Sequence, residues 1–266
     1  MKLADCHALV TGASAGIGRE FARQLAERAG SLVLVARRKE RLEELRAELI
    51  ARHPRLQVEL QPTDLSRDEG VNELLEWAAA RRPAIDLLVN NAGLGDLGAF
   101  ATADPEKIGS MLQVNMVALT RLTRGLLPGM IEQKRGAILN VSSSAGFLPM
   151  PNFAVYAATK AYVTSFSEAL RSEVREAGIT VTALCPGPVR TEFTEVAHRE
   201  SQRDASLGPA LVYVSVEDVV RSALRGVERN RPLVIPGGFM KVGMALVRLA
   251  PSPLLRLANR FAPKRV

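Results

Sequence analysis

Cysteine and histidine are scarce in this chain of 266 residues, which has two cysteines and three histidines. Cys6 and Cys185 stand far apart, no CxxC pair occurs, and no histidines cluster at the spacing of metal ligands. The sequence therefore predicts neither a metal site nor a disulfide framework. Isolated cysteines of this kind are typical of reduced, buried thiols, so we expect a cytoplasmic protein.

Long apolar runs are also missing. The first residues, MKLADCHALVTG, lead directly into a predicted strand and turn, without the apolar stretch and small-residue cleavage site of a signal peptide. With 47% hydrophobic and 24% charged residues, the composition excludes disorder on a large scale and allows a sizeable core. We expect residues 1–236 to form a single domain.

Acidic residues are absent after Glu228, whereas eight basic residues follow it. These eight charges exceed the net charge of +7 of the whole chain, so residues 1–228 carry a net charge of −1. The positive charge lies in an apolar tail without the stacking aromatics of a nucleic-acid site. We therefore expect no nucleic-acid partner.

Seven apolar, β-rich segments alternate with amphipathic or turn-rich segments. They are HALVTG, SLVLVA, LQVEL, IDLLVNN, GAILNVSS, ITVTALCPG and PLVIPG. The alternation indicates βαβ units, and continuous apolar runs are typical of parallel strands that helices cover on both faces. The sequence thus predicts a doubly wound α/β Rossmann fold with a seven-stranded parallel sheet. The longest loop, at about residues 191–213, follows the sixth strand, where loops often act as lids.

A glycine-rich turn, TGASAGIG at residues 11–18, places Gly12, Gly16 and Gly18 between the first strand and the first helix. Glycine permits a tight turn, a close approach of pyrophosphate and close helix packing. The spacing differs from GxGxxG, so an ordinary turn is the alternative. Its position, directly after an N-terminal strand and at the start of an amphipathic helix, favours dinucleotide binding.

An acidic residue is missing at the end of the second predicted strand, which reads Val35-Ala36-Arg37-Arg38. Dinucleotide folds usually place an acid there to bind the ribose hydroxyls of NAD. The guanidinium groups of Arg37 and Arg38 would instead form charge-assisted hydrogen bonds with a 2′-phosphate, which favours NADP(H). The alternative is that both arginines belong to the solvated start of the charged helix KERLEELRAEL.

Two polar clusters suggest chemistry. Asn140-Val141-Ser142-Ser143 ends a predicted strand, and Tyr156 and Lys160 lie four residues apart on one face of a predicted helix. Proton transfer by tyrosine near neutrality needs a pKa about three units below its usual 10, or roughly 4 kcal/mol. A neighbouring ammonium and an oxidised nicotinamide can supply this lowering. Separately, a surface ion pair and a turn explain the clusters; their combination favours a catalytic site.

Together these motifs resemble, in order and over about residues 5–236, those of the short-chain dehydrogenase/reductase family. TGASAGIG resembles its phosphate-binding turn, and Asn90-Asn91-Ala92-Gly93 resembles its sheet-stabilising NNAG motif. Pro186-Gly187 followed by Thr191 is similar to the segment that holds the nicotinamide carboxamide. The resemblance implies an NADP-dependent oxidoreductase that interconverts a carbonyl and an alcohol.

The same resemblance implies a catalytic tetrad of Asn115, Ser143, Tyr156 and Lys160. Tyr156 would exchange the proton with the substrate oxygen, and Ser143 would orient that oxygen. Lys160 would hold the nicotinamide ribose and lower the pKa of the tyrosine, and Asn115 would support a water relay. Hydride chemistry itself belongs to the nicotinamide.

The cofactor site implied by the resemblance is larger, and Asp64 would contact the adenine ring. One position departs from the family's pattern: many NADP-preferring relatives have a basic residue just before the second glycine, where this chain has Ala15. The NADP(H) prediction therefore depends mainly on Arg37. The expected cofactor-binding residues are Gly12, Ser14, Gly16, Ile17, Gly18, Arg37, Arg38, Asp64, Asn91, Ala92, Gly93, Tyr156, Lys160, Pro186, Gly187, Val189 and Thr191.

Residues 145–153, just before Tyr156, are apolar and uncharged, and in this family that segment contributes to substrate specificity. They favour a hydrophobic ketone or aldehyde, although such a segment can also pack against a partner subunit. The resemblance implies a homodimer or homotetramer through the helices that hold Asn115 and Tyr156. A non-catalytic NADPH-binding sensor or scaffold on the same fold is the alternative function.

The tail at residues 237–266 is basic and apolar and lies beyond the best-matched region. Pro251 and Pro253 divide it into two segments, neither of which reaches the roughly 20 apolar residues that span a bilayer. Two alternatives remain open. The tail is either a pair of short helices packed on the substrate cleft or a neighbouring subunit, or an interfacial segment in weak peripheral contact with anionic lipid.

Overall fold

Seven parallel strands form one sheet in the order β3-β2-β1-β4-β5-β6-β7. The computed structural model describes residues 1–81, 83–199 and 213–249. The strands are β1 (His7–Thr11), β2 (Ser31–Ala36), β3 (Gln57–Pro62), β4 (Leu87–Asn90), β5 (Ala137–Val141), β6 (Thr180–Leu184) and β7 (Leu233–Val234). Every neighbouring pair is parallel. The doubly wound, seven-stranded sheet predicted from the sequence is confirmed.

Helices cover both faces of the sheet, so the central strands read as continuous apolar runs. Every residue of β2, β5 and β6 is buried, as expected when neither face meets water. The helices are α1 (Gly16–Ala26), α2 (Lys39–Arg52), α3 (Asp68–Ala80), α4 (Pro105–Leu112), α5 (Leu119–Glu132), α6 (Ala154–Glu173), α7 (Glu192–Ala197), α8 (Val216–Glu228) and α9 (Gly238–Leu249).

Alternate residues of each strand point to opposite faces and build two cores. On one face, Val10 of β1 shares a buried cluster with Phe21 of α1, Leu42 of α2 and Val220 of α8. The other face carries a second cluster. Leu9 of β1 belongs to it, together with residues of α3, α5 and α6. The rigid sheet between these cores fixes the positions of the loops at its carboxyl edge.

The strand order reverses between β1 and β4, because β2 and β3 lie on one side of β1 and β5, β6 and β7 lie beyond β4. In open α/β sheets, ligands bind outside the carboxyl ends of strands at this switch point. The glycine-rich turn follows β1, the NNAG motif follows β4, and Ser143 follows β5. The topology therefore brings three of the motifs to one edge.

The segment after β6 differs from the predicted loop. Residues 192–197 form the short helix α7, and the backbone N–H of Leu97 donates to the carbonyl of Ala197 at 2.8 Å. A bridge between Leu97 and His198 ties the end of α7 to the loop after β4. Residues 200–212, the rest of the predicted lid, lie outside the described residues.

Only part of the C-terminal tail is described, and it forms α9. One side of this helix buries Met240 and Met244, and the other exposes Phe239, Val242, Leu246 and Leu249. Residues 250–266 lie outside the described residues, so both alternatives for the tail stay open. Within residues 1–81, 83–199 and 213–249, no helix is long and apolar enough to cross a membrane.

Candidate active site

The glycine-rich turn wraps tightly around the end of β1. Gly12 and Gly16 have φ angles of +67° and +52°, in the left-handed region that favours glycine. A Cβ on Gly18 would collide with the carbonyl of Gly12 and the amide of Asn91. Gly18 therefore lets α1 begin directly against the strand end, while Gly12 and Gly16 let the backbone turn.

The start of α1 is left open for an anion. Its N-cap residue, Ala15, makes no side-chain hydrogen bond, and its first turn contains no acidic residue. The starts of α2, α3, α6 and α7 also lack a side-chain cap, whereas Asp104 caps α4 and Ser215 caps α8. The first N–H groups of a helix have no partner within the helix and carry partial positive charge. The turn therefore fits the pyrophosphate of a dinucleotide.

The side-chain amides of the two asparagines of the NNAG motif join neighbouring strands. The side-chain amide of Asn91 donates to the carbonyl of Thr11 at 2.9 Å and of Gly12 at 3.4 Å. The amide of Asn90 donates to Oδ1 of Asn140 at 2.9 Å. These bonds hold the ends of β1, β4 and β5 in register, which fits the structural role expected of this motif.

At the adenosine end, Arg37 and Asp64 lie near each other. Burial alone would raise the pKa of Asp64, but hydrogen bonds from Ser66 and the charge of Arg37 lower it. Arg37 is exposed and forms no ion pair with any described residue. Its guanidinium is therefore available to an anion at the end of β2.

Arg38, the second predicted phosphate ligand, already forms an ion pair within the protein. Its Nη1 and Nη2 donate to the two carboxylate oxygens of Glu192 at 2.6 and 3.1 Å. Nη1 of Arg41 donates to the same carboxylate at 2.7 Å. The hydrogen bond from Arg38 is the main cause that lowers the pKa of Glu192 to about 2. The sequence analysis missed this carboxylate because it is distant in sequence from both arginines.

Ser143 and Tyr156 meet at the other end of the cleft. Ser143 lies in the loop after β5, Tyr156 lies in the first turn of α6, and both side chains line the same cleft. The ring of Phe153 stacks on the Tyr156 ring with centroids 4.2 Å apart, and Phe193 of α7 lies 5.4 Å away. The aromatic cluster thus holds the ring of Tyr156 beside Ser143 in the cleft.

Lys160 lies one turn after Tyr156 in α6 and is buried. Its Nζ donates to the carbonyl of Val141 at 2.8 Å and lies 5.6 Å from the centre of the Tyr156 ring. A Cβ on Gly93 would lie 3.4 Å from the same Nζ. The ammonium therefore stands between the tyrosine and the end of the NNAG motif.

The chain alone shifts both pKa values toward the neutral forms. Burial raises the pKa of Tyr156 to about 12, and the nearby hydroxyl of Ser143 only partly offsets this rise. Burial also lowers the pKa of Lys160 to about 8. The tyrosine shift is opposite to the one that proton transfer near neutrality requires. Lys160 does not produce the expected lowering within the protein chain.

Asn115 lies behind the cleft in a π-helical turn at Gln113–Ala118. Its Oδ1 accepts from the N–H of Leu94 at 2.8 Å, and its Nδ2 donates to the carbonyl of Leu94 and to Oγ1 of Thr159 at 2.9 and 3.0 Å. π-Helical turns often occur at functional sites. Within the described residues the side-chain N–H groups are fully used, and the water relay stays a prediction.

A single cleft of about 560 Å³ connects the two ends. Every predicted cofactor residue lines it except Gly18, which packs behind the turn. Ser143, Tyr156 and Lys160 line it, and Asn115 supports it from behind. The geometry therefore brings together the residues that the sequence analysis singled out.

The end of the cleft beyond Tyr156 is apolar. Phe193 and Val196 come from α7, and Met240 and Met244 come from α9. The methionines were not among the predicted site residues, because the tail lies outside the matched motifs. The only feature of the sequence that indicated a place for them in a site was the spacing of the apolar residues in the tail. The wall they form adds to the predicted apolar segment, of which Ala145, Leu148, Met150 and Phe153 face the cleft.

Three known proteins are similar to this chain over most of its length. A very-long-chain 3-oxoacyl-CoA reductase from Anas platyrhynchos is 32% identical over 88% of this chain and 73% of that protein. A short-chain dehydrogenase from Sphingobium yanoikuyae, solved in complex with NADPH, has a TM-score of 0.82 and 32% identity, covering 94% of this chain and 95% of that one. The bulky-bulky ketone specific alcohol dehydrogenase from Comamonas testosteroni has a TM-score of 0.78 and 29% identity, covering 97% and 99%.

Likeness of fold alone does not select between coenzymes. A short chain dehydrogenase/reductase from Burkholderia phymatum, solved in complex with NAD, has a TM-score of 0.79 at 24% identity, covering 92% of this chain and 94% of that one. The family model described as short chain dehydrogenase matches residues 6–202. That match confirms the family expected from the motifs, whose members are oxidoreductases with a nicotinamide cofactor. The chain belongs to the short chain dehydrogenase family.

Proposed function

We propose that this protein is an NADPH-dependent oxidoreductase that interconverts a hydrophobic ketone or aldehyde and the corresponding alcohol. The observation that carries the proposal is the single cleft, with Arg37 at one end and Ser143, Tyr156 and Lys160 at the other. An uncapped helix start lies between them. A screen of NADPH oxidation over ketones and aldehydes tests the proposal.

Arg37 supports the preference for NADPH over NADH. Its exposed guanidinium lies where an NAD enzyme usually places an acid for the ribose hydroxyls. A 2′-phosphate carries close to two negative charges and offers several acceptor oxygens, which guanidinium binds well. The NADPH complex of the Sphingobium yanoikuyae relative supports the same coenzyme.

In the proposed reaction, Tyr156 donates its hydroxyl proton to the carbonyl oxygen, and Ser143 orients that oxygen through a second hydrogen bond. The bound nicotinamide supplies the hydride. Lys160, fixed by its bond to the carbonyl of Val141, binds the ribose hydroxyls and lowers the pKa of the tyrosine together with the oxidised cofactor. Asn115 holds the backbone of Leu94 at the cleft edge.

A hydrophobic substrate is supported by the far end of the cleft. Phe153, Phe193, Met240 and Met244 line it, and none of them offers a charge to a sugar or an acid. The bulky ketones named for the Comamonas testosteroni relative and the long acyl chain named for the Anas platyrhynchos relative belong to the same broad class. We propose that α9 forms a wall of this substrate cleft and thus belongs to the catalytic domain.

We further propose a homodimer or homotetramer that pairs through α5, α6 and the π-helical turn. Val117 of that turn is 40% exposed, which suits an interface, whereas Leu170 of α6 is buried in the core. Tyr162 and Phe166 stack along α6 with centroids 5.9 Å apart, and the hydroxyl of Tyr162 bonds Oγ1 of Thr120 at 2.8 Å. These contacts stiffen the helix pair that would meet its copy.

A non-catalytic NADPH sensor or scaffold is the second candidate function. It would use the same turn and arginines but would not need a buried tyrosine beside a serine and a lysine. The presence of Tyr156, Ser143 and Lys160 in one cleft favours catalysis. A sensor would bind NADPH and oxidise none of it with any carbonyl tested.

A further inference from the structure

A carboxylate of α7 lies on the arginines at the adenosine end of the cleft. Glu192 accepts two hydrogen bonds from Arg38 and one from Arg41, and Arg38 also donates to Oγ of Ser14 in the glycine-rich turn at 3.3 Å. Bidentate hydrogen bonds between guanidinium and carboxylate are stronger and more directional than neutral hydrogen bonds. Glu192 therefore occupies the N–H groups that Arg38 turns toward the cleft.

Arg38 directly follows Arg37, at the end of β2 where the proposed function places the 2′-phosphate. The phosphate and the Glu192 carboxylate are both anions that need the same guanidinium N–H groups. Hydrogen bonds from Arg38 and Arg41 hold the pKa of Glu192 at about 2, so its carboxylate is ionised at neutral pH. The two anions also repel each other if both remain at the site.

We infer that Glu192 is a specificity-determining residue, an internal anion that a coenzyme with a 2′-phosphate has to displace from Arg38 and Arg41. The inference rests on the proposed use of NADPH. In this arrangement Glu192 weakens the binding of phosphorylated coenzyme and leaves NADH unaffected, so it sets how strongly the enzyme discriminates between the two.

The other end of α7 has its own attachment, so displacement of Glu192 leaves the helix anchored. Nη2 of Arg199 donates to Oδ2 of Asp96 at 2.6 Å, and Nζ of Lys107 lies 3.0 Å from Oδ1 of the same carboxylate. At the start of α7, the side chain of Thr191 packs against Gly16 of α1. These contacts do not involve Glu192, and we expect a Glu192 variant to fold.

The test compares 2′,5′-ADP, which carries the 2′-phosphate, with 5′-AMP, which lacks it. Isothermal titration at low salt measures both affinities for the wild type, Glu192→Gln and Glu195→Gln. Glu195 is exposed on the same helix and forms no ion pair with any described residue, so its variant removes the same charge elsewhere. We expect Glu192→Gln to bind 2′,5′-ADP about fivefold more tightly, and 5′-AMP and the control to change by less than about twofold.

A double-variant cycle locates the effect at Arg38. In an Arg38→Gln background, Glu192→Gln should no longer increase the affinity for 2′,5′-ADP, because the contested guanidinium is gone. If Glu192→Gln fails to fold, Glu192→Ala takes its place. Melting curves of every variant, recorded without ligand, verify that each is folded before titration.

The outcomes separate this inference from the proposed coenzyme preference. Unchanged or weaker binding of 2′,5′-ADP by Glu192→Gln overturns the inference, as does an equal gain in Glu195→Gln. A wild type that binds both probes equally overturns the proposed NADPH preference. If Glu192→Gln then acquires a preference for 2′,5′-ADP, the inference stands. If it does not, both fail.

Discussion

The ammonium nitrogen of Lys160 lies 5.6 Å from the centre of the Tyr156 ring and is fixed there by the carbonyl of Val141. Both side chains are buried, and burial moves the pKa of the lysine down to about 8 and that of the tyrosine up to about 12. The pair is therefore arranged for proton chemistry but is not activated by the chain alone. In the proposed reaction, the pair would be activated with the help of the positive charge of a bound oxidised nicotinamide.

Lys160→Met should reveal the cost of burying the lysine charge in the coenzyme-free protein. The pKa of Lys160 is about 8 in the fold against 10.5 in the unfolded chain. At pH values between these two pKa values, the unfolded chain binds more protons than the folded protein, so wild-type stability rises with pH. Relative to the variant, the free energy of unfolding of the wild type should increase by on the order of 3 kcal/mol from pH 7 to pH 10.5. Urea unfolding at both pH values measures the change, and a constant difference would contradict it.

Arg37→Asp should shift the coenzyme preference from NADPH toward NADH. The change replaces attraction for the 2′-phosphate by repulsion and offers a carboxylate to the ribose hydroxyls. We expect the ratio of the two kcat/KM values to fall by roughly 100-fold. Arg46→Asp makes the same change of charge at an exposed position of α2 and should leave the ratio nearly unchanged. A wild type that already prefers NADH would refute the reasoning from Arg37.

Gly18→Ala should damage the turn that receives the pyrophosphate. The added Cβ would meet the carbonyl of Gly12 and the amide of Asn91, neither of which can move without disturbing β1 or β4. We expect lower stability and a loss of coenzyme binding. Gly109→Ala in α4 is the matched control, because a Cβ there meets nothing within 4 Å. It should raise stability by up to about 1 kcal/mol. Equal behaviour of the two variants in thermal unfolding would contradict the assignment.

Val117→Arg should dissociate the proposed assembly. Val117 is 40% exposed beside α5, and a charged side chain buried at a subunit interface without a partner is strongly unfavourable. Sedimentation velocity at micromolar concentration should show a dimer or tetramer for the wild type and a smaller species for the variant. Ala51→Arg at an exposed position of α2 is the control and should keep the wild-type assembly. A monomeric wild type would exclude the proposal.

Much of the fold was predictable because its signals are local. Each of the seven predicted strands overlaps an observed strand, since buried parallel strands are nearly continuous apolar runs. The order of the strands did not follow from these runs. It depends on which crossovers lie side by side, and Val10, which pairs with Leu34 of β2 and Val89 of β4, carries no local mark of either partner.

The site was predictable where its residues form motifs and not where the fold alone brings them together. Ser143, Tyr156 and Lys160 were expected together and line one cleft. Glu192 was missed because its pairing with Arg38 spans 154 positions of the chain. The pKa shift of Tyr156 was also missed, since its direction depends on burial by Phe153 and other neighbours, which the tyrosine motif does not encode.

The measurement that tests the central proposal most directly is NADPH oxidation by Tyr156→Phe across a panel of hydrophobic ketones and aldehydes. Removal of the hydroxyl should lower kcat by about 100-fold or more while the Kd for NADPH changes by less than about twofold. Tyr162 lies on the same helix as Tyr156, and its hydroxyl bonds Oγ1 of Thr120. Tyr162→Phe is the matched control and should retain turnover. Activity of Tyr156→Phe within about tenfold of the wild type, or a wild type that binds NADPH and oxidises none, would contradict the account.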